Sequence, residues 1–150
     1  MNKLVLRKDL YENLLVVCPP FKKPRTPLSD LHDFIRANNL PILYEFGTQG
    51  PEEWVKLDNK LKGAQVDFGI VASFGHMIPG NIIDHVQKGM MVVHPSLLPK
   101  YRGSCPIQHT ILNKDRETGV SIIEISKNKF DAGSIYYQAR VEIDEHTRFD

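Results

Sequence analysis

Apolar residues fall in short blocks along the chain, and the blocks alternate between two periods. Residues 13–18, NLLVVC, read as a buried strand, and PPFKKPRTP stops it because four prolines within nine residues sustain neither a ladder nor a helix. SDLHDFIRANN then places Leu28, Leu31, Phe34 and Ile35 on one helical face, with Ser29 or Asp30 as N-cap. PILYEF resumes as a strand, completing a βαβ unit. The alternation repeats: PEEWVKLDNKLKG is a helix with Trp54, Leu57 and Leu61 as its stripe, and VDFGIVASFG is a second buried strand.

Residues 79–87 predict a short helix beginning near Pro79, MMVVH a strand, and CPIQHTILN a helix. From TGVSIIEI onward the period moves toward two. GSIYYQARVEI follows after a glycine-containing turn, so the tail predicts further, antiparallel strands. The whole is an α/β open sheet with a β-rich C-terminal edge. With no repeat or linker, 150 residues predict one domain.

Composition narrows the function classes. Hydrophobic residues at 41% and charged residues at 25% describe a soluble globular chain. Nineteen basic against eighteen acidic side chains provide no general attraction to polyanions, so any nucleic-acid contact rests on a local patch. Cys18 and Cys105 are the only cysteines, which argues against a disulfide scaffold or a structural zinc site and favours a reducing compartment. No apolar stretch approaches the roughly 20 residues that span a bilayer. MNKLVLRKDLYENLLVV contains Asp9 and Glu12 and no small-residue cleavage site, so neither a secretory signal nor a transit peptide is expected there. GxGxxG, P-loop, HExxH and GxSxG patterns are absent.

In open α/β sheets ligands bind beyond the carboxyl ends of the strands. VASFGHMIP and VVHPSLLPKYRG both leave such ends, so their polar groups are expected to share one crevice. His94 suits an oxyanion or a proton near neutral pH, the alternative being a strand-end histidine bonded to backbone. Asp131, in KFDAGSI, suits the orientation of a histidine or acceptance of a proton, the alternative being an Asx-type turn. Ser96, Leu97, Leu98 and Pro99 suit a flat ligand as an apolar wall with backbone groups. Tyr101 and Arg102 suit an anionic or aromatic group, or simply solvent. Lys22, Lys23 and Arg25 suit a phosphate backbone, although charges in a proline-rich loop are more often only solvated. His76 stays open between a role and none; His32, His85, His109 and His146 are assigned none.

Four segments in order, VDFGIVASFG, VVHPSLLPKYRGSCPIQ, ETGVSIIEI and FDAGSI, resemble the 10-formyltetrahydrofolate-dependent formyltransferases. PKYRGSCPIQ is similar to the methionyl-tRNA branch of that family, and the HPS and KNKFDAG spellings to its mitochondrial form. The resemblance covers most of residues 66–138, and 14–65 more loosely. It implies an open, mostly parallel Rossmann-like sheet with helices on both faces. It also implies formyl transfer from 10-formyltetrahydrofolate to the amino group of initiator methionyl-tRNA, in the mitochondrial matrix, by a monomer without metal or membrane. By resemblance, His94 polarises the formyl oxygen, Asp131 positions His94 and relays a proton, and Ser96 to Pro99 hold the folate. Lys22, Lys23, Arg25 and Arg102 are the implied tRNA contacts.

The chain departs from the family at Val92, where the family's catalytic triplet has asparagine; valine donates no hydrogen bond. The family's first strand and glycine-containing loop would precede residue 1, and its C-terminal domain would follow Asp150. A truncated catalytic domain is therefore expected, with apolar faces left open beside the missing strand. Two other readings stay in view: formyl transfer to a small amine such as glycinamide ribonucleotide, or hydrolysis of formyltetrahydrofolate, and a non-catalytic folate-binding remnant.

Overall fold

A computed structural model of the protein describes residues 7–18, 27–45, 50–144 and 146–147. The chain divides into two compact units, Met1–Gly63 and Ala64–Asp150. In the first, a 3₁₀ turn over Lys8–Leu10 is followed by β1 (Val16–Cys18), α1 (Pro27–Ala37), β2 (Ile42–Glu45) and α2 (Pro51–Leu61). β1 and β2 pair in parallel, as the βαβ pattern requires. Val16, Cys18 and Ile35 are buried together, with Leu31 and Leu40 packed against them.

α1 starts at Pro27. Proline's fixed φ suits a first helical turn and its missing amide is not needed there, so Ser29 and Asp30 lie inside the helix rather than capping it. The stop is a Schellman motif: the Asn39 amide donates to the Arg36 carbonyl and the Leu40 amide to that of Ile35, with Asn39 left-handed at φ 49°. α2 opens on Gly50 and Pro51 and buries Leu57 and Leu61; Trp54, on the same predicted stripe, is only half-buried.

The second unit contains β3 (Gly69–Ala72), α3 (Gly80–Ile83), β4 (Met90–His94), α4 (Pro106–Leu112), β5 (Glu117–Glu124) and β6 (Ile135–Glu142). Its sheet order is β3-β4-β5-β6. β3 and β4 are parallel, with Ala72 opposite Val93. β5 is antiparallel to β4, with Val92 opposite Ile123 and His94 opposite Ser121. β6 is antiparallel to β5, with Gln138 opposite Ser121. The β-rich edge read from the tail is thus β5 and β6.

Two elements are shorter than the pattern predicts. The strand expected over 66–75 is only Gly69–Ala72 and is not buried: Ile70 is 50% exposed and the preceding Phe68 43%. Among the described residues β3 is an edge strand of its sheet, with β4 on one side of it. The helix expected over 79–87 is a single turn, Gly80–Ile83, which buries Ile82 and Ile83 before the chain meets Val66 at Val86. On β5 the period-two pattern holds, with Gly119, Ser121 and Ile123 forming its buried face.

Ile123, the last residue of that face, is 1% exposed. Ile123→Ala is expected to destabilise the protein by about 2–5 kcal/mol, seen as a lower urea midpoint at unchanged slope. Val55→Ala, at a position 59% exposed on α2, should change stability by less than about 0.5 kcal/mol.

Candidate active site

β3 and β4 are parallel and end at Ala72 and His94, so the loops that follow them leave the same end of the sheet. His94 closes β4 and is 5% exposed. Its side chain shares a strand face with Val92, two residues earlier, because alternate residues point to one side. Val92 is half-buried, opposite Val71 and Ile123.

The His94 ring lies between two oxygen atoms. Nε2 is 2.8 Å from the Tyr101 carbonyl oxygen. A carbonyl only accepts, so Nε2 carries the hydrogen in this contact. Nδ1 is 3.4 Å from Asp131 Oδ2, the two side chains being 6% and 10% exposed. The Gly103 amide donates to the same Asp131 oxygen at 2.7 Å. One short segment, 101–103, therefore touches both members of the pair. His94 thus bonds backbone through one nitrogen and faces a carboxylate with the other.

Asp131 is held by local backbone. It is left-handed at φ 49°, a region aspartate tolerates better than most residues, and the Glu124 amide donates to the Ser134 carbonyl three residues on. A Cβ on Gly133 would collide with the Glu124 carbonyl, so only glycine lets this turn close against β5.

The Ser96–Pro99 loop is fixed from beneath by a side chain that is buried completely. Ser121 Oγ donates to the Ser96 carbonyl at 2.6 Å and accepts from the Leu98 amide at 3.0 Å. It also accepts from Gln138 Nε2 at 2.8 Å, which donates as well to the Leu98 carbonyl at 3.0 Å. One donor and two acceptors are thus all used, which is the capacity of a hydroxyl. Ser96 Oγ donates to the Lys100 carbonyl at 2.6 Å. Leu98 is buried and both its backbone groups are engaged inside the fold, so it supports the loop from within; Leu97 is half-buried and Pro99 exposed.

Tyr101 anchors the far side. Its backbone is left-handed at φ 56°, which for a bulky residue costs about 1–3 kcal/mol. Its hydroxyl donates to Asp115 Oδ2 at 2.8 Å and accepts from Asn113 Nδ2 at 3.0 Å, while its ring stacks on His109. Lys100 Nζ also reaches Asp115 Oδ2, at 3.1 Å. The Tyr101 hydroxyl, and then the Lys100 ammonium, hold the Asp115 carboxyl below the ordinary carboxylate range. Next to these groups, Leu97, Lys100, Tyr101, Asp115 and Arg140 border a cleft of about 220 Å³.

Of the residues singled out in the sequence, His94 and Asp131 come together, and Ser96 to Pro99 continue the same strand end. Arg102 is exposed between Tyr101 and Gly103. His76 lies edge-on to the Phe74 ring. Lys22, Lys23 and Arg25 lie outside the described residues. Ser121, Gln138, Gly103 and Asp115 were missed. Ser121 left a signal: a serine on the apolar face of a period-two run.

Residues 36–149 match the formyl transferase family. The methionyl-tRNA formyltransferase of Lactobacillus acidophilus is 37% identical over 144 residues, covering 89% of this chain and 42% of that protein. That of Dictyoglomus turgidum is 32% identical over 148 residues, covering 95% and 46%. The chain thus spans less than half the length of these curated relatives. Among solved structures, phosphoribosylglycinamide formyltransferase from Bacillus halodurans superposes with a TM-score of 0.76 at 20% identity, over 98% of this chain and 76% of that one. HypX from Aquifex aeolicus in complex with tetrahydrofolic acid gives 0.59 at 19% identity, over 87% and 21%. At these identities the superpositions speak for the fold.

Ser121→Ala should leave the Ser96 carbonyl and the Leu98 amide without their partner, at about 1–3 kcal/mol for each buried group. A urea midpoint unchanged from the native protein would contradict the network. Asp115 makes a separate, pH-dependent contribution. Its folded carboxyl titrates below its ordinary value, so it stabilises at pH values above that ordinary value and the contribution is lost as pH falls through the lowered one. The native protein should therefore lose more stability than Asp115→Asn across that acidic window, measured by thermal unfolding at a series of pH values.

Proposed function

The chain belongs to the formyl transferase family, and from that premise we propose that it moves a formyl group from 10-formyltetrahydrofolate to the amino group of methionyl-tRNA. The observation that carries the reading is the His94–Asp131 pair at a strand end, 3.4 Å apart and nearly closed to solvent. Support for the acceptor comes from PKYRGSCPIQ in the sequence and from the names of the curated relatives.

In this reading the acceptor amine attacks the formyl carbon, the bond from that carbon to the donor nitrogen breaks, and the proton leaving the amine reaches that nitrogen. His94 supplies the ring N–H that stabilises charge on the formyl oxygen, exchanging the Tyr101 carbonyl for it. Asp131 lies against the other ring nitrogen, where it positions the ring and relays the amine proton through water. Leu97 and Pro99 form the folate wall, whereas Ser96 and Leu98, both buried, pack beneath it. Arg102 is exposed beside the pair and, with Lys22, Lys23 and Arg25, forms the proposed tRNA contacts. The HPS and KNKFDAG spellings favour a mitochondrial setting, whereas the relatives named above are bacterial.

Val92 tunes the rate. It stands on the face of His94 at the position where the resemblance puts an asparagine, and a missing oxyanion donor costs about 10² to 10³ in turnover. Formyl transfer to methionyl-tRNA is expected to be slow in the native chain, faster in Val92→Asn by about that factor, and lost in His94→Ala. Transfer only to glycinamide ribonucleotide would reassign the acceptor. Folate binding with no turnover by either the native chain or Val92→Asn would leave a binding module instead of an enzyme.

A further inference from the structure

We propose that Asp115 is a positioning residue for the His94–Asp131 pair, acting through the Tyr101 hydroxyl and the backbone of residues 101–103. The inference rests on the formyl-transfer reading for its kinetic consequence, but its geometric content stands apart from that reading.

Three observations converge on it. The first is that a single stretch of backbone contacts both members of the pair, the Tyr101 carbonyl at His94 Nε2 and the Gly103 amide at Asp131 Oδ2. A shift of that stretch moves both contacts together. The second is that the residue at the head of the stretch is not in a relaxed conformation: Tyr101 is left-handed at φ 56°. Such backbone persists only where surrounding contacts determine it. The third is that those contacts come from one place, the turn between α4 and β5. Asp115 accepts from the Tyr101 hydroxyl at 2.8 Å and Asn113 donates to it at 3.0 Å. Asn113 is itself tied to the His109 carbonyl at 2.9 Å, and the His109 ring stacks on that of Tyr101.

The side chain of Tyr101 thus works as a lever arm whose tip is held by Asp115 and whose base carries the carbonyl that sets the ring hydrogen of His94. Which nitrogen of a histidine carries hydrogen is decided by the partner of each nitrogen. The Tyr101 carbonyl draws hydrogen to Nε2, the nitrogen that the proposed reaction turns toward the formyl oxygen, against the Asp131 carboxylate, which draws it to Nδ1. Asp115 touches neither His94 nor Asp131, so its effect is one of prior alignment, and a displacement of about 1 Å in such a site lowers the rate by up to about 100-fold.

The test compares the native chain with Tyr101→Phe, Asp115→Ala and Asp115→Asn. Tyr101→Phe removes only the hydroxyl, whereas Asp115→Asn keeps an oxygen acceptor for it. The first readout is the ¹⁵N resonance pattern of the His94 ring, assigned by its loss in His94→Gln. A protonated, hydrogen-bonded Nε2 is expected in the native chain and in Asp115→Asn, and mixed or exchange-broadened tautomers in Tyr101→Phe and Asp115→Ala. The second is formyl transfer from 10-formyltetrahydrofolate to methionyl-tRNA, where the same two variants should lose about 10-fold in kcat with KM for the formyl donor within about 2-fold. The double variant Tyr101→Phe/Asp115→Ala should be no worse than either single one, because both break one connection. Native ring signals in Tyr101→Phe and Asp115→Ala would overturn the proposal, as would additive losses or a rise in kcat, which would make the Tyr101 carbonyl a mere competitor for the ring. If neither the native chain nor Val92→Asn transfers a formyl group, the functional reading falls, and the ring signals alone decide the positioning role.

Discussion

His94 and Ser121 stand opposite each other where β4 and β5 run antiparallel, and the polar apparatus of the second unit is hung from that register. Both are buried on a face otherwise formed by Gly119, Ile123 and the half-buried Val92. Polar groups in such a place persist only with partners, and each has found them outside the strand: Ser121 in the loop that leaves β4, His94 in the Tyr101 carbonyl and Asp131. A slip of one residue between β4 and β5 would turn every side chain to the other face. Register, loop shape and the geometry of the candidate site are therefore one constraint. The close approach of β5 and β6 belongs to it: a Cβ on Gly119 would meet the Ala139 carbonyl, and Gln138 reaches across to Ser121.

Much of this was legible in the pattern of residues. Short apolar runs gave β1, β2 and β4, the three-to-four spacing gave α1 and α2, and alternation gave β5 and β6. A histidine at the end of an apolar run is also visible without coordinates. The contacts of that histidine are not. A backbone carbonyl accepts a hydrogen bond whatever the residue, so nothing in the letter for Tyr101 announces its contact with His94. Asp115 is fourteen residues away in the chain, and its partnership with Tyr101 arises only once α4 returns the chain. β3 was misjudged for a related reason. GIVA is apolar enough for a buried strand, but burial is decided by neighbours, and among the described residues β3 has one strand beside it.

The site joins a rigid base to a strained rim. Beneath the Ser96–Pro99 loop, the hydroxyl of Ser121 has no unused capacity, and Leu98 has both backbone groups engaged. At Tyr101 the backbone is held in a conformation it does not favour, with the side chain tied to the partly shielded Asp115, whose own side chain is 17% exposed. A chemical group is aligned well when its supports are fixed before the substrate arrives. Under the proposed transfer Val92 runs counter to that order, because it puts an apolar side chain on the face of His94 where a hydrogen-bond donor would serve a developing negative oxygen. Alignment and donor count are separate quantities, and this chain is built for the first more fully than for the second.

The most direct measurement is a crystal structure of the chain with a stable 10-formyl analogue of tetrahydrofolate. The account predicts the formyl oxygen within hydrogen-bond distance of His94 Nε2, Asp131 still against Nδ1, and the analogue's ring system beside Leu97 and Pro99. An analogue bound away from the β4 end, or seated there with His94 Nε2 still on the Tyr101 carbonyl and the formyl oxygen out of its reach, would contradict it.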